Sequence, residues 1–251
     1  MKKNVAIIGC GQIGRRHIEG LGVSNSEIKV HVYDISKLSI NTCETFLEDI
    51  SDTIHNLELQ FYDSITSVGN AVTCFDLVII STTANQRVTL LKNLFEFIKS
   101  RAWLLEKPIC QSVDELNTIV KLTKGINIWV NHPRRIVPYY KDINAKFFNG
   151  QKLSISFESI DIGIACNISH FVDLVNFLTD ELPVRIDTSG LLKQWHDSKR
   201  NGFKEINGTL VGEFSSGSKM YVKSGKNLNS FSISGEFMNT GKDFIIDEIK
   251  G

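Results

Sequence analysis

The chain has 251 residues, 42% hydrophobic and 22% charged, with 28 lysines and arginines balanced by 28 aspartates and glutamates. That length accommodates two modest domains with buried cores, and the composition excludes a disordered chain. Zero net charge leaves no basic excess of the kind nucleic-acid binding needs, and Arg15-Arg16 and Arg134-Arg135 are only short, separate pairs.

After Met1-Lys2-Lys3 the apolar run covers only Val5 to Ile8, too short for a signal segment or a membrane span. Asn4–Gly9 reads instead as a buried parallel strand ending in glycine. Ile13, Ile18 and Leu21 then mark one side of a helix. Lys29–Asp34 is a second strand, residues 39–50 a helix, and Gln60–Tyr62 a short strand. Asp76–Ser81 is another apolar strand, followed by a helix over Gln86–Ile98 that carries Val88, Leu91, Leu94 and Ile98 at helical spacing. Ala102–Leu105 is a strand. Ser112, with Glu115 three residues on, opens a helix through a capping box. Ile126–Val130 closes the series. This alternation predicts right-handed crossovers and a doubly wound, mostly parallel Rossmann sheet over residues 1–130 of an α/β protein.

From residue 131 to 251 the pattern changes. Leu153, Ile155 and Phe157 alternate with Ser154, Ser156 and Glu158, as in a strand with one wet face. A helix follows over Asn167–Thr179, then strands at Leu210–Phe214, Lys219–Val222, Phe231–Ser234 and Phe244–Ile246, with a hairpin turn at Ser216-Gly217. An α+β domain with a mainly antiparallel open sheet and one helix is expected. The last residues, Ile245 to Gly251, are strand-like as well. Cys10, Cys43, Cys74, Cys110 and Cys166 are scattered without a CxxC pair. No metal site is expected from them, and the thiols fit a soluble protein of the reducing cytoplasm.

Gly9-Cys10-Gly11-Gln12-Ile13-Gly14 matches GxGxxG between the first strand and first helix. Gly9 permits the tight turn, Gly11 lets backbone approach a diphosphate, and Gly14 lets helix and strand pack closely; the helix N-terminus offers Gln12 and Ile13 amides to phosphate. A glycine-rich turn without a ligand is the alternative. Asp34, at the end of the second strand, suits the ribose hydroxyls of NAD and would repel the extra phosphate of NADP, unless it is an ordinary turn aspartate. Lys37 nearby softens that preference.

GCGQIGRRHIEGL, IISTTANQR and LLEKPI together resemble the glucose–fructose oxidoreductase/inositol dehydrogenase (Gfo/Idh/MocA) family, over the first domain and as far as HFVD in the second. The resemblance implies an NAD(P)-dependent oxidoreductase. Within Glu106-Lys107-Pro108 it places Lys107 beside the nicotinamide and the substrate hydroxyl, where an ammonium can polarise a carbonyl or hold an alkoxide. Glu106, Ser81 and Thr82 would border the cofactor. It also implies that His170 is the acid–base group; the other reading is a histidine satisfied by Asp173 three residues on.

The chain departs from the family pattern in several places. Cys166 and Asn167 stand where an aspartate is common, so Asn167 supplies hydrogen bonds but no charge. Arg87 stands where a histidine is common; it reads as a solvated residue at a helix start, or else as an anion-binding one. In Asn131-His132-Pro133-Arg134-Arg135, Arg135 or His132 would touch substrate or serve only the crossover, and Asp173 joins the substrate candidates. His17 and Arg15 read as packing or capping residues. The second domain is short for the family, being either reduced or truncated.

The function expected is hydride transfer between nicotinamide and a carbon of a sugar or nucleotide sugar, in surface-polysaccharide synthesis, by a homo-oligomer paired through the second-domain sheet. A lapsed NAD-binding regulatory or scaffold protein is an alternative. So is the same fold acting on a tetrapyrrole or an amino-acid derivative.

Overall fold

The chain divides into two compact units, Met1–Asn131 and His132–Gly251. The structure, a computed structural model, describes residues 2–199 and 202–248.

In the first unit strands and helices alternate: β1 (Lys3–Ile8), α1 (Gln12–Gly22), β2 (Ile28–Tyr33), α2 (Lys37–Asp49), β3 (Leu57–Tyr62), α3 (Ile65–Ala71), β4 (Leu77–Ile80), α4 (Arg87–Phe97), β5 (Trp103–Leu105), α5 (Val113–Leu122) and β6 (Ile128–Val130). The strands form one parallel sheet in the order β3-β2-β1-β4-β5-β6. Strand alternation in β1 decides which side each residue serves. Val5 and Ile7 pack with Ile18 of α1 and Cys43 and Leu47 of α2. Ala6 and Ile8 pack with Val68, Leu91, Leu94 and Ile119 of α3, α4 and α5. Both faces are thereby covered, which is why the strands read as near-continuous apolar runs. The sheet order reverses between β1 and β4, the place where α/β folds open a crevice at the strands' C-terminal ends. Helix α3 is absent from the sequence reading because its seven residues bury only Val68. It packs closely all the same: a Cβ on Gly69 would lie 2.3 Å from the Phe97 carbonyl oxygen.

The second unit contains α6 (Pro138–Ile143), β7 (Leu153–Ser159), α7 (Ile164–Thr179), β8 (Pro183–Asp187), β9 (Leu191–Asp197), β10 (Lys204–Phe214), β11 (Lys219–Ser224), β12 (Ser232–Phe237) and β13 (Lys242–Ile246). Its sheet runs β13-β12-β7-β11-β10-β8, with β9 also paired to β10. Pairings are antiparallel except between β7 and β11, so the sheet is mixed and mostly antiparallel. Leu153, Ile155 and Phe157 point into one core with Phe171, Leu174, Val175 and Leu178 of α7. The turn expected at Ser216-Gly217 joins β10 to β11, with Gly217 at φ +107°.

Three expectations are corrected here. The main helix begins at Ile164, not Asn167, because Gly163 takes the left-handed conformation (φ +64°) and starts it there. The short helix α6 precedes the sheet and adds to the one helix expected. Strands β8 and β9 went unseen because almost all their residues are exposed or half-buried, leaving no alternation. Of the strand-like tail, residues 249–251 lie outside the described residues.

Candidate functional site

The glycine loop lies at the C-terminal end of β1. Gly9 sits at φ +95°, and a Cβ there would come within 2.9 Å of the Thr82 methyl. A Cβ on Gly14 would lie 2.0 Å from the Gly9 carbonyl oxygen, so helix and loop touch as closely as backbones can. Gly11 differs: a Cβ there meets nothing within 4 Å among the described residues. Gly11 also precedes α1 with no side-chain cap among the described residues, and Gln12 and Ile13 are exposed in the first turn. Uncapped first-turn amides beside open space suit a diphosphate through hydrogen bonds and the helix dipole.

Asp34, one residue beyond β2, anchors this loop. Its Oδ2 accepts from the Cys10 amide at 2.9 Å and its Oδ1 from the Ser36 amide at 2.9 Å. Each oxygen keeps a further lone pair for a ribose hydroxyl. Contact with Cys43, burial and the Asp34 charge all push the Cys10 thiol far up, so Cys10 stays a protonated core residue. The Ser81 hydroxyl lies 2.5 Å from the Gly9 carbonyl, holding the end of β4 against the loop. Thr82 Oγ1 is buried without a partner among the described residues. It is an orphaned polar atom in the segment that faces Gly9. These features fit a dinucleotide.

At the end of β5, Glu106 is buried and its Oε1 accepts from His17 Nε2 at 2.7 Å and from Asn131 Nδ2 at 2.6 Å. Burial pushes this carboxyl up, but the bonds from His17 and Asn131 and the charges of His17 and Lys107 outweigh it and hold Glu106 below its ordinary value. The carboxylate that sequence reasoning assigned to the cofactor thus ties α1 to the ends of β5 and β6. His17 is correspondingly neither a cap nor simple packing. Arg15 matches its packing reading, stacking its guanidinium 5.3 Å from the Phe46 ring centre. Lys107 follows Glu106, half-buried, two residues past β5.

Arg87 corrects the solvated reading outright. It is fully buried at the start of α4 and donates to the carbonyls of Thr82 (2.7 Å), Thr83 (3.2 Å) and Glu106 (3.2 Å). Burial lowers its pKa to about 10, so it remains a cation at neutral pH.

In the second unit, α7 carries His170, half-buried. The His132 ring stands perpendicular to His170 with centres 5.2 Å apart, and His132 Nδ1 lies 3.8 Å from Asp173 Oδ1. Arg135 grips Asp173 with both arms of its fork, Nε to Oδ2 at 2.9 Å and a terminal nitrogen to Oδ1 at 2.5 Å, and also donates to Asn176 Oδ1. Two of the substrate candidates, Asp173 and Arg135, are therefore partners of each other. The third, Asn167, donates its amide to the Ile162 carbonyl at 2.8 Å.

Sequence reasoning missed Glu205. This buried side chain from β10 accepts from the Ala165 and Cys166 amides at 2.9 and 3.0 Å, capping the helix that bears His170. A capping carboxylate supplied from a distant strand leaves no local signal in the sequence.

A family model described as an oxidoreductase family with an NAD-binding Rossmann fold (GFO_IDH_MocA) matches residues 3–132. No curated protein matches. Solved structures do. An oxidoreductase from Thermotoga maritima superposes with a TM-score of 0.71 at 14% identity, over 98% of this chain and 79% of that one. UDP-N-acetylglucosamine 3-dehydrogenase GnnA from Acidithiobacillus ferrooxidans gives 0.68 at 14%, over 98% and 83%. GenD2 from gentamicin A biosynthesis, solved in complex with NAD, gives 0.68 at 12%, over 98% and 72%. At such identities the likeness is one of fold.

Proposed function

The chain belongs to the Gfo/Idh/MocA oxidoreductase family, and from that premise we propose that it moves hydride between a nicotinamide coenzyme and a carbon of a sugar or nucleotide sugar, as in the making of surface polysaccharide. One observation carries the reading: an uncapped helix N-terminus behind Gly11, with open space where a side chain would stand. Gly9, Gly11, Gln12, Ile13 and Gly14 would hold the diphosphate, Asp34 the adenosine ribose, and Ser81 and Thr82 the floor near the reactive ring. Asp34 favours the coenzyme without a ribose phosphate, since a carboxylate there repels one.

The bound coenzyme supplies a hydride acceptor or donor. The chain's own residues handle the proton and the developing charge. In the oxidation direction the substrate carbon gives up hydride while its hydroxyl gives up a proton. Lys107, at the carboxyl end of β5, stabilises the oxygen as it becomes alkoxide-like. His170 accepts the hydroxyl proton, the acid–base role for which imidazole is chemically suited. His132 and Asp173 orient it. In reduction the same groups act in reverse. The related folds that act on UDP-N-acetylglucosamine and in gentamicin biosynthesis support a sugar substrate. Five free cysteines support a cytoplasmic setting. The sheet of the second unit would pair copies through the face turned away from α7.

A second reading, a coenzyme-binding protein without turnover, is favoured by Asn167: its amide is committed to Ile162, and it brings no carboxylate near His170. One experiment separates the two. Nicotinamide absorbance is followed against UDP-, GDP- and CMP-linked sugars with NAD and NADP in both redox states, beside calorimetry of NADH binding. Turnover of one sugar supports the proposal. NADH affinity without turnover supports the second reading, and no affinity for either coenzyme overturns both.

A further inference from the structure

A fully buried arginine is expensive unless its charge does something that nothing else nearby can do. The surroundings of Arg87 say what that is. Beyond Ile80 and Leu105 the strands β4 and β5 part company: the Glu106 amide still bonds to the Ile80 carbonyl at 3.0 Å, and past that point the ladder stops. The carbonyls of Thr82, Thr83 and Glu106 have left the sheet and point into the interior, where each needs a donor. Arg87, entering from the first turn of α4, meets all three with one planar fork. Glu106 in turn is held through its side chain by His17 and Asn131. The residue after Glu106 is Lys107, and the residue before Thr83 is Thr82, which borders Gly9.

We propose that Arg87 is a positioning residue of the coenzyme crevice: its buried guanidinium clamps the Thr82-Thr83 loop to Glu106, so fixing the spacing of the two strand ends and, through the next peptide, the place of Lys107. A lysine cannot replace it, because a single ammonium on a narrower head does not span three carbonyls on two diverging strands. The clamp acts through backbone, so its loss leaves Lys107 chemically intact and geometrically loose. A displacement on the order of 1 Å in such a group costs about 10²-fold in turnover.

The claim rests on the hydride-transfer reading for its turnover arm only. R87K and R87Q are made in the full chain, with circular dichroism and thermal melting to establish folding. Amide hydrogen exchange is then followed at residues 82–84 and 105–110, with NADH affinity from calorimetry. The expected result is faster exchange in both segments together, at least tenfold, with β1 and β2 unchanged and NADH bound within about tenfold of the parent. K107A, by contrast, leaves exchange at 82–84 as it was. Where a sugar is turned over, each Arg87 variant falls about 10²-fold alone and adds nothing in a K107A background. Parental exchange in folded variants overturns the proposal, and so does additivity with K107A. Failure of both variants to fold also overturns it, by making Arg87 a requirement of the fold. Absence of any turned-over sugar counts against the enzymatic reading, while the exchange arm still decides the clamp.

Discussion

At the scale of single residues, the three glycines of the first turn have different duties, and substitution separates them. Gly11→Ala places its methyl in open space, so the melting temperature should stay within about two degrees while NADH affinity falls at least tenfold, about 1.4 kcal/mol. Gly14→Ala drives a methyl into the Gly9 carbonyl and should cost at least about 1–3 kcal/mol of stability in the absence of coenzyme. Equal effects of the two on melting would contradict the assignment of Gly11 to a ligand. Lys107→Ala should lower turnover by about 10²–10³-fold with NADH still bound, read by stopped-flow absorbance and calorimetry; unchanged turnover would remove Lys107 from the chemistry. Asp34 is a compound case. Its carboxylate holds the Cys10 amide, so any replacement intended to admit a ribose phosphate also unpins the loop.

At the scale of elements, β2 carries a pH-sensitive group. His31 is buried, with Nε2 3.3 Å from Asn4 Oδ1 and Nδ1 2.9 Å from the Tyr62 hydroxyl, and burial, aided by the Lys29 charge, lowers its pKa to about 4. The unfolded imidazole takes a proton near 6.5 and the folded one near 4, so the unfolded state binds more protons between those values. Stability from this group is complete above pH 6.5 and declines as pH falls toward 4. The loss is on the order of 2 kcal/mol after allowance for solvent screening. Urea unfolding across that range should show the slope, and H31Q should flatten it. In the second unit, Glu205→Ala should cost about 1–3 kcal/mol and speed exchange of the Ala165 and Cys166 amides, leaving β12 and β13 unaffected. Unaltered protection at those two amides would mean that the helix is capped some other way.

These cases also show what the sequence could reveal about elements and site. The Rossmann strands were legible because a sheet covered on both faces needs continuous apolar runs, and β7 because its covered face alternates with a wet one. Gly9, Gly11 and Gly14 stood out because a tight strand-to-helix turn calls for glycine at that spacing, and Asp34 by its place at a strand end, whereas Lys107 stood out only through the family resemblance. Arg87 and Glu205 were not. Each serves a backbone group brought near by folding, Arg87 the Glu106 carbonyl on the next strand end besides its neighbours Thr82 and Thr83, and Glu205 the amides of a helix far along the chain, and neither distant pairing leaves a local pattern. The start of α7 was misplaced for the same reason, since its first-turn amides are capped from β10. The edge strands β8 and β9 were hidden by exposure on both sides.

At the scale of the whole molecule, the two units should respond unequally to coenzyme. With NADH at about a hundred times its dissociation constant, linkage adds roughly 2.7 kcal/mol to whatever opening exposes the site. Exchange should slow around the ends of β1, β2, β4 and β5, while β12 and β13 keep their rates; uniform slowing would tie both units into one cooperative block. The second unit has a different constraint, set by its one parallel pairing. In β7, Ser154 lies against Lys219 of β11 on one side and Glu236 of β12 on the other, and no nearer stretch of chain borders it. A ribosome therefore releases β7 and α7 long before either flank of that strand has a mate. The nascent second unit must keep a greasy, double-edged ribbon from sticking to its neighbours until its final strands emerge, and early-terminated products should be the aggregating ones.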